Sequence, residues 1–93
     1  MTSGTVRREL AIVNEKGLHA RASAKFVETV ERFDARAEVS RDGMSASGDS
    51  IMGLLMLAAS RGTSIGVETS GPEAEALMQA LAALVEDRFG EDM

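Results

Sequence analysis

The sequence predicts an α+β open-faced sandwich, in which a four-stranded antiparallel sheet carries three helices on one face. Segments that alternate apolar and polar residues occur four times, and segments with apolar residues three and four apart lie between and after them. The predicted order is βαββαβα. Alternating strands bury one face, so packing the amphipathic helices against that face is the simplest arrangement.

The first two elements are a strand and a helix separated by a turn. The strand covers residues 5–13, and its apolar residues of one parity are Val6, Leu10 and Ile12. The turn covers residues 14–17. From about Ala20 an amphipathic helix is predicted to end near Asp34, and its main apolar stripe is Phe26, Val30 and Phe33.

A hairpin and a short helix follow. Ala35, Ala37 and Val39 alternate with polar residues, and Asp42-Gly43 then forms a two-residue turn, since both positions tolerate positive φ. The second and third strands are therefore expected to pair antiparallel. An apolar helix is predicted from Ile51 to about Leu57, directly after Ser50.

The last two elements are a strand over residues 63–70 and a helix. The helix start has two interpretations: Ser70 and Glu73 form a capping box, or Gly71 is the cap with Pro72 at the first helical position. The buried stripe of this helix is predicted to be Leu77, Met78, Leu81, Leu84 and Val85. Gly90 is predicted to end it.

Composition excludes several classes of function. The chain has 93 residues, which suits a single domain, with no cysteine and one histidine, so no metal site is expected. A net charge of -5 and the lack of Trp and Tyr argue against nucleic-acid binding. No N-terminal targeting segment is visible, and the longest apolar run is far shorter than the roughly 20 residues of a membrane span. A cytosolic protein is expected.

The segment Gly17-Leu18-His19-Ala20-Arg21 has the residues that phosphate chemistry requires. A helix start presents unpaired N–H groups and the positive end of the helix dipole, here in the backbone of Ala20 and Arg21. The neutral imidazole of His19 is a nucleophile, and the Arg21 guanidinium can bind phosphoryl oxygens. Considered alone, however, a lone histidine is more often a solvated loop residue or a helix cap.

Two runs of residues resemble HPr, the histidine-containing phosphocarrier family of the bacterial phosphoenolpyruvate-dependent phosphotransferase system. Residues 17–27 (GLHARASAKFV) resemble its active-site segment, and residues 50–55 (SIMGLL) resemble its regulatory-serine segment at the matching separation. The resemblance covers nearly the whole chain and implies the same open-faced sandwich. One departure is Ala22, where the family usually has proline.

The resemblance implies a function and its partners. His19 would accept a phosphoryl group from an enzyme I-type protein and pass it to an enzyme IIA-type protein, with Arg21 as electrostatic helper. The chain would be a monomeric relay without a cofactor or metal rather than an independent enzyme. It would serve sugar uptake or regulatory signalling, and Ala22 and Ser23 slightly favour the nitrogen-related regulatory branch.

The short helix has a regulatory and a docking interpretation. By resemblance, Ser50 is the serine that an HPr kinase/phosphorylase modifies in some bacteria, although a serine before an apolar run is also a common N-cap. Ile51, Met52 and Leu55 are expected to dock partners, because a short helix that is apolar nearly all round leaves some of its surface exposed. The rival function is a small α/β module that binds partner proteins or an anion without phosphorylation.

Overall fold

The chain forms a four-stranded antiparallel sheet and three helices in the predicted order. The structure is a computed structural model and describes residues 5–92. The strands are β1 (Val6–Ala11), β2 (Arg36–Arg41), β3 (Met44–Ser47) and β4 (Ser64–Ser70), and the helices are α1 (Ala20–Glu31), α2 (Ile51–Met56) and α3 (Ala74–Glu86). The sheet order is β1-β4-β2-β3, with every pair antiparallel. The predicted fold class is confirmed.

The two faces of the sheet differ in polarity. The buried face carries Leu10, Val39, Ile65 and Val67. These side chains form one core with the inner stripes of the helices, represented by Phe26, Leu54 and Leu77. The opposite face carries exposed charged residues: Arg7, Glu9, Glu38 and Glu68. The alternation that identified the strands therefore also determines which face the helices cover.

The hairpin between β2 and β3 forms as the sequence predicts. Asp42 and Gly43 both have positive φ, at 51° and 80°, and Arg41 pairs with Met44 across the turn. Positive φ at both central residues matches the right-handed twist of the two strands.

Two elements are shorter in the structure than the sequence predicts. β1 covers Val6–Ala11 rather than residues 5–13, although the Ile12 N–H continues the pairing through a bond to the Thr63 carbonyl. α1 ends at Glu31 rather than near Asp34. The N–H groups of Arg32 and Phe33 donate to carbonyls three residues back, so the last turn tightens and the helix stops.

Both interpretations of the start of α3 are wrong. The N-cap is Glu73, and its side chain makes no capping bond. Glu73 instead pairs with Asp34, because its N–H donates to the Asp34 carbonyl and its carboxylate accepts from the Asp34 N–H. Residues 70–72 are therefore used in a turn, which Gly71 permits with a φ of 109°.

The predicted end of α3 at Gly90 is also wrong. The helix stops at Glu86, and a separate turn follows over Arg88–Gly90, with positive φ at all three residues. Over residues 5–92, no helix is long and apolar enough to cross a membrane.

Candidate functional site

His19 is the N-cap of α1, but its side chain does not cap the helix. Its backbone is extended, its carbonyl accepts the Ser23 N–H at 2.8 Å, and its imidazole makes no bond to the first turn. The first N–H groups of a helix have no partner within it. Those of the exposed residues Ala20 and Arg21 therefore remain available to a ligand, at the end of α1 where the dipole favours an anion, whereas Ala22 is fully buried.

The loop before His19 is fixed against the segment that follows α2. The Leu18 N–H donates to the Ala59 carbonyl at 2.9 Å. Gly17 has a φ of 65°, and a Cβ there would lie only 2.5 Å from the Ala59 carbonyl oxygen. Only glycine fits both the conformation and the close approach. The position of His19 is thus set by a tight contact between two loops.

Glu91 joins His19 to a buried asparagine. One carboxylate oxygen of Glu91 pairs with His19 Nε2, and the other accepts from Asn14 Nδ2 at 3.0 Å. Asn14 Nδ2 also donates to the Gly17 carbonyl at 2.8 Å. Both neighbours of this nitrogen are acceptors, which fixes the orientation of the amide.

This orientation leaves a polar atom unsatisfied. The Oδ1 atom of the fully buried Asn14 has no hydrogen-bond partner among residues 5–92. Such an atom costs about 1–3 kcal/mol of stability. The amide group of Asn14 is therefore used for its two donors, which hold Gly17 and Glu91.

The Glu91 carboxylate faces Nε2 of His19 as a hydrogen-bond acceptor. Partial burial raises the pKa of Glu91, but hydrogen bonds from His19 and Asn14, with a smaller contribution from Lys16, lower it below its ordinary value of 4.5. Glu91 is therefore ionised at neutral pH and can only accept. The proton in the pair lies on Nε2, which leaves Nδ1 of the neutral ring with its lone pair.

The turn after α3 brings Glu91 to this position. Arg88, Phe89 and Gly90 have φ values of 57°, 55° and 78°. A left-handed conformation costs a residue other than glycine about 1–2 kcal/mol. The turn is held by the fully buried Phe89 ring and by Lys25, whose Nζ donates to the Phe89 carbonyl at 2.6 Å.

Arg21 lies two residues beyond His19 and is exposed. Within residues 5–92 its guanidinium forms no hydrogen bond and no ion pair. His19 itself is 25% exposed at its side chain. The guanidinium therefore needs to break no existing contact before it binds an incoming anion.

The start of α2 is capped in the ordinary way. Ser50 Oγ accepts the Gly53 N–H at 3.0 Å. In the helix that follows, Ile51 and Met52 are 39% and 69% exposed, and Leu55 is half-buried. Met56, which the sequence analysis did not select, is 68% exposed. α2 packs against α1, so this apolar surface belongs to the same pair of helices as the His19 site.

Comparisons with known proteins show the family. The family model described as "PTS HPr component phosphorylation site" matches residues 6–87. A phosphocarrier protein HPr of Cupriavidus necator is 44% identical over 86 residues, which are 92% of this chain and 97% of that protein. The chain belongs to the HPr family.

Further HPr-family proteins agree with this assignment. The phosphocarrier protein NPr of Escherichia coli is 38% identical over 95% of this chain and 99% of its own length. The crystal structure of an HPr from Thermoanaerobacter tengcongensis superposes with a TM-score of 0.89 at 34% identity, covering 95% of this chain and 99% of that one. An HPr from Bacillus anthracis gives 0.83 at 37% identity, covering 87% and 96%.

Family membership makes the chain a phosphocarrier of the phosphotransferase system. The rival function, a module that binds without phosphorylation, is not favoured. The sequence analysis proposed His19 and Arg21 as site residues, and it did not select Glu91, which pairs with His19, or Asn14, which bonds to Glu91. Phe89 was the sequence signal that could have indicated Glu91. It is an aromatic residue beyond the apolar stripe of α3, and its burial brings the residues that follow it back to the core.

Proposed function

We propose that His19 is the phosphoryl acceptor of this HPr-family protein. It receives the group from a phosphohistidine of an enzyme I-type protein and passes it to an enzyme IIA-type protein. The observation that carries the proposal is the state of the imidazole at the start of α1, where Nε2 is engaged by Glu91 and Nδ1 makes no hydrogen bond among residues 5–92.

The transfer needs no separate base on this chain. The Nδ1 lone pair attacks phosphorus and forms a new N–P bond, while the N–P bond of the donor breaks and its electron pair returns to the donor imidazole. The donor ring loses its positive charge, and the His19 ring becomes a phosphoimidazolium that keeps its proton on Nε2. Atoms and charge balance without any proton transfer, which fits a relay between two histidines.

Arg21 and the first turn of α1 supply the electrostatic stabilisation. The guanidinium can bind two phosphoryl oxygens at once, and its lack of a partner among residues 5–92 leaves it available. The N–H groups of Ala20 and Arg21 add donors at the positive end of the helix.

The exposed residues of α2 are the proposed docking surface for the donor and acceptor proteins. Ile51, Met52 and Leu55 present apolar area, and Met56 extends it. Ser50 borders this surface and is the proposed regulatory site for an HPr kinase/phosphorylase-type enzyme. The protein is proposed to act as a monomer in the cytosol without a metal or cofactor.

Mass spectrometry under alkaline conditions tests the assignment, because phosphohistidine is labile to acid and survives base. After incubation with phosphoenolpyruvate and enzyme I, the wild-type protein is expected to carry one phosphoryl group. His19→Ala is expected to fold normally and carry none. Phosphorylation of His19→Ala by enzyme I would overturn the site assignment.

A further inference from the structure

Glu91 forms the one side-chain hydrogen bond to His19 among residues 5–92. We propose that Glu91 is a positioning residue that keeps a proton on His19 Nε2 in both the free and the phosphorylated protein. The inference rests on the proposed function of His19 as phosphoryl acceptor. It assigns to Glu91 a role in the reaction, which the sequence pattern does not indicate.

The first observation is that Glu91 is itself held in place. Its side chain is only 16% exposed, and its second carboxylate oxygen accepts from Asn14. Asn14 is fully buried and donates to Glu91 and to the Gly17 carbonyl, while its own Oδ1 lacks a partner among residues 5–92. An unpaired buried acceptor needs a physical explanation. Here the explanation is that the amide orientation lets Asn14 Nδ2 donate both to Glu91 and to the Gly17 carbonyl. Asn14 therefore supports Glu91 as Glu91 supports His19.

The second observation is the conformation of the turn before Glu91. Two residues other than glycine, Arg88 and Phe89, adopt positive φ there. The turn persists because Phe89 is buried in the core and Lys25 Nζ donates to its carbonyl. Strained backbone that the surrounding structure holds in place is often found at functional sites. Here the strained turn redirects the chain after α3 and carries the Glu91 carboxylate to the imidazole.

The chemistry explains why a carboxylate is useful at Nε2. The neutral ring must have its proton on Nε2 for Nδ1 to act as the nucleophile, and a carboxylate that can only accept selects that tautomer. Phosphorylation at Nδ1 then gives the ring a positive charge, and the hydrogen bond to Glu91 becomes charged on both sides and stronger. The phosphoryl group lies on the opposite side of the ring, so Glu91 is closer to the imidazolium than to the phosphate charge. Glu91 therefore favours the charged product ring over the neutral reactant ring.

The test compares Glu91→Ala with Asp92→Ala. Asp92 is the adjacent acidic residue and is exposed, so its variant makes the same substitution and removes the same charge without touching His19. With phosphoenolpyruvate and enzyme I, Glu91→Ala is expected to be phosphorylated about tenfold more slowly. Its equilibrium constant for phosphoryl exchange with enzyme I, measured from its level of phosphorylation in mixtures of phosphoenolpyruvate and pyruvate, is expected to fall by a similar factor. Asp92→Ala is expected to match the wild type. Thermal unfolding of both variants checks that they remain folded.

An independent readout is the Nε2 proton itself. In ¹H–¹⁵N spectra of the unphosphorylated wild type, the Nε2–H of His19 is expected as a downfield resonance protected from exchange. The resonance is expected to persist in Asp92→Ala and to disappear in Glu91→Ala. Folded Glu91→Ala with the phosphorylation rate and level of Asp92→Ala would overturn the role of Glu91. Failure of the wild type to be phosphorylated at all would instead overturn the function of His19.

Discussion

The starts of α1 and α2 have similar N-cap residues, but the two N-cap side chains make different hydrogen bonds. Each helix begins after an extended N-cap residue with a polar side chain, His19 for α1 and Ser50 for α2. Ser50 bonds back to the Gly53 N–H and satisfies its own helix. His19 makes no such bond, and its imidazole pairs with Glu91, which lies 72 residues away in the sequence.

The difference distinguishes a helix start that its own N-cap side chain satisfies from one that we propose to be reactive. A capped helix start has used one of its donors and gains about 1 kcal/mol of stability. The uncapped start of α1 forgoes that gain and keeps its N–H groups and dipole for an anion. The loop before α1 contacts the segment that follows the end of α2, through Gly17 and Ala59, so the start of α1 rests on the chain that leaves α2.

Removal of the Arg21 charge is expected to have the largest effect on transfer. Arg21→Ala should slow phosphorylation of His19 by enzyme I about a hundredfold, because a charge aimed at the transferred group is lost. Arg21→Lys keeps the charge but loses the planar guanidinium, so its phosphorylation rate should lie between those of the wild type and Arg21→Ala. Stability should hardly change, since the side chain is exposed and forms no hydrogen bond or ion pair with residues 5–92. A large loss of stability with unchanged transfer would show a structural role instead.

Disruption of the contact between Gly17 and Ala59 is expected to have the largest effect on stability. Gly17→Ala should lower the free energy of unfolding by about 3 kcal/mol, because the new Cβ meets the Ala59 carbonyl and the φ is positive. Gly43→Ala is the matched control, since Gly43 also has positive φ but nothing lies within 4 Å of a Cβ there. It should lose only about 1 kcal/mol. Equal losses in urea titrations of the two variants would mean that the loop contact contributes nothing.

The two roles of Ser50 can be separated by substitution. Ser50→Ala should lose about 1 kcal/mol through the missing cap and dock normally. Ser50→Asp should keep the cap, because aspartate also accepts the N–H, and raise the apparent Michaelis constant for phosphorylation by enzyme I. The added charge borders Met52, where a docking partner would have to desolvate it, and high salt should reduce any part of the effect that is repulsion. If the two variants dock alike, Ser50 is a cap without a regulatory role.

The smallest expected effect is the dependence of stability on pH at Glu91. Its pKa is lowered in the folded protein, so its contribution is present above the pKa of the unfolded chain and is lost as pH falls through the folded value. The free energy of unfolding should therefore fall less steeply from about pH 6 to about pH 3 in Glu91→Ala than in Asp92→Ala. Identical slopes would contradict the pairing of Glu91 with His19 and Asn14.

The sequence predicted the parts of the molecule that local patterns control. Alternation and helical spacing gave the order of elements, the Asp42-Gly43 turn gave the hairpin, and the serine before an apolar run gave the cap at Ser50. The family assignment from the His19 and Ser50 segments is confirmed as well. These features depend on residues within a few positions of one another.

Long-range features escaped the sequence analysis. Glu91 reaches His19 only because Arg88 and Phe89 adopt a conformation that their side chains disfavour, and tertiary packing of Phe89 imposes it. The start of α3 was misjudged for a similar reason, since Glu73 bonds to Asp34 rather than to its own helix. Roles of individual site residues in transfer remain predictions.

Backbone amide NMR before and after phosphorylation tests the central claim most directly, namely that the start of α1 is kept open for the phosphoryl group. The N–H resonances of Ala20 and Arg21 should move downfield in the phosphorylated protein as they begin to donate to phosphoryl oxygens. The N–H of Gly53, which already donates to Ser50, should stay in place. Unchanged resonances at Ala20 and Arg21 in a fully phosphorylated sample would contradict the account.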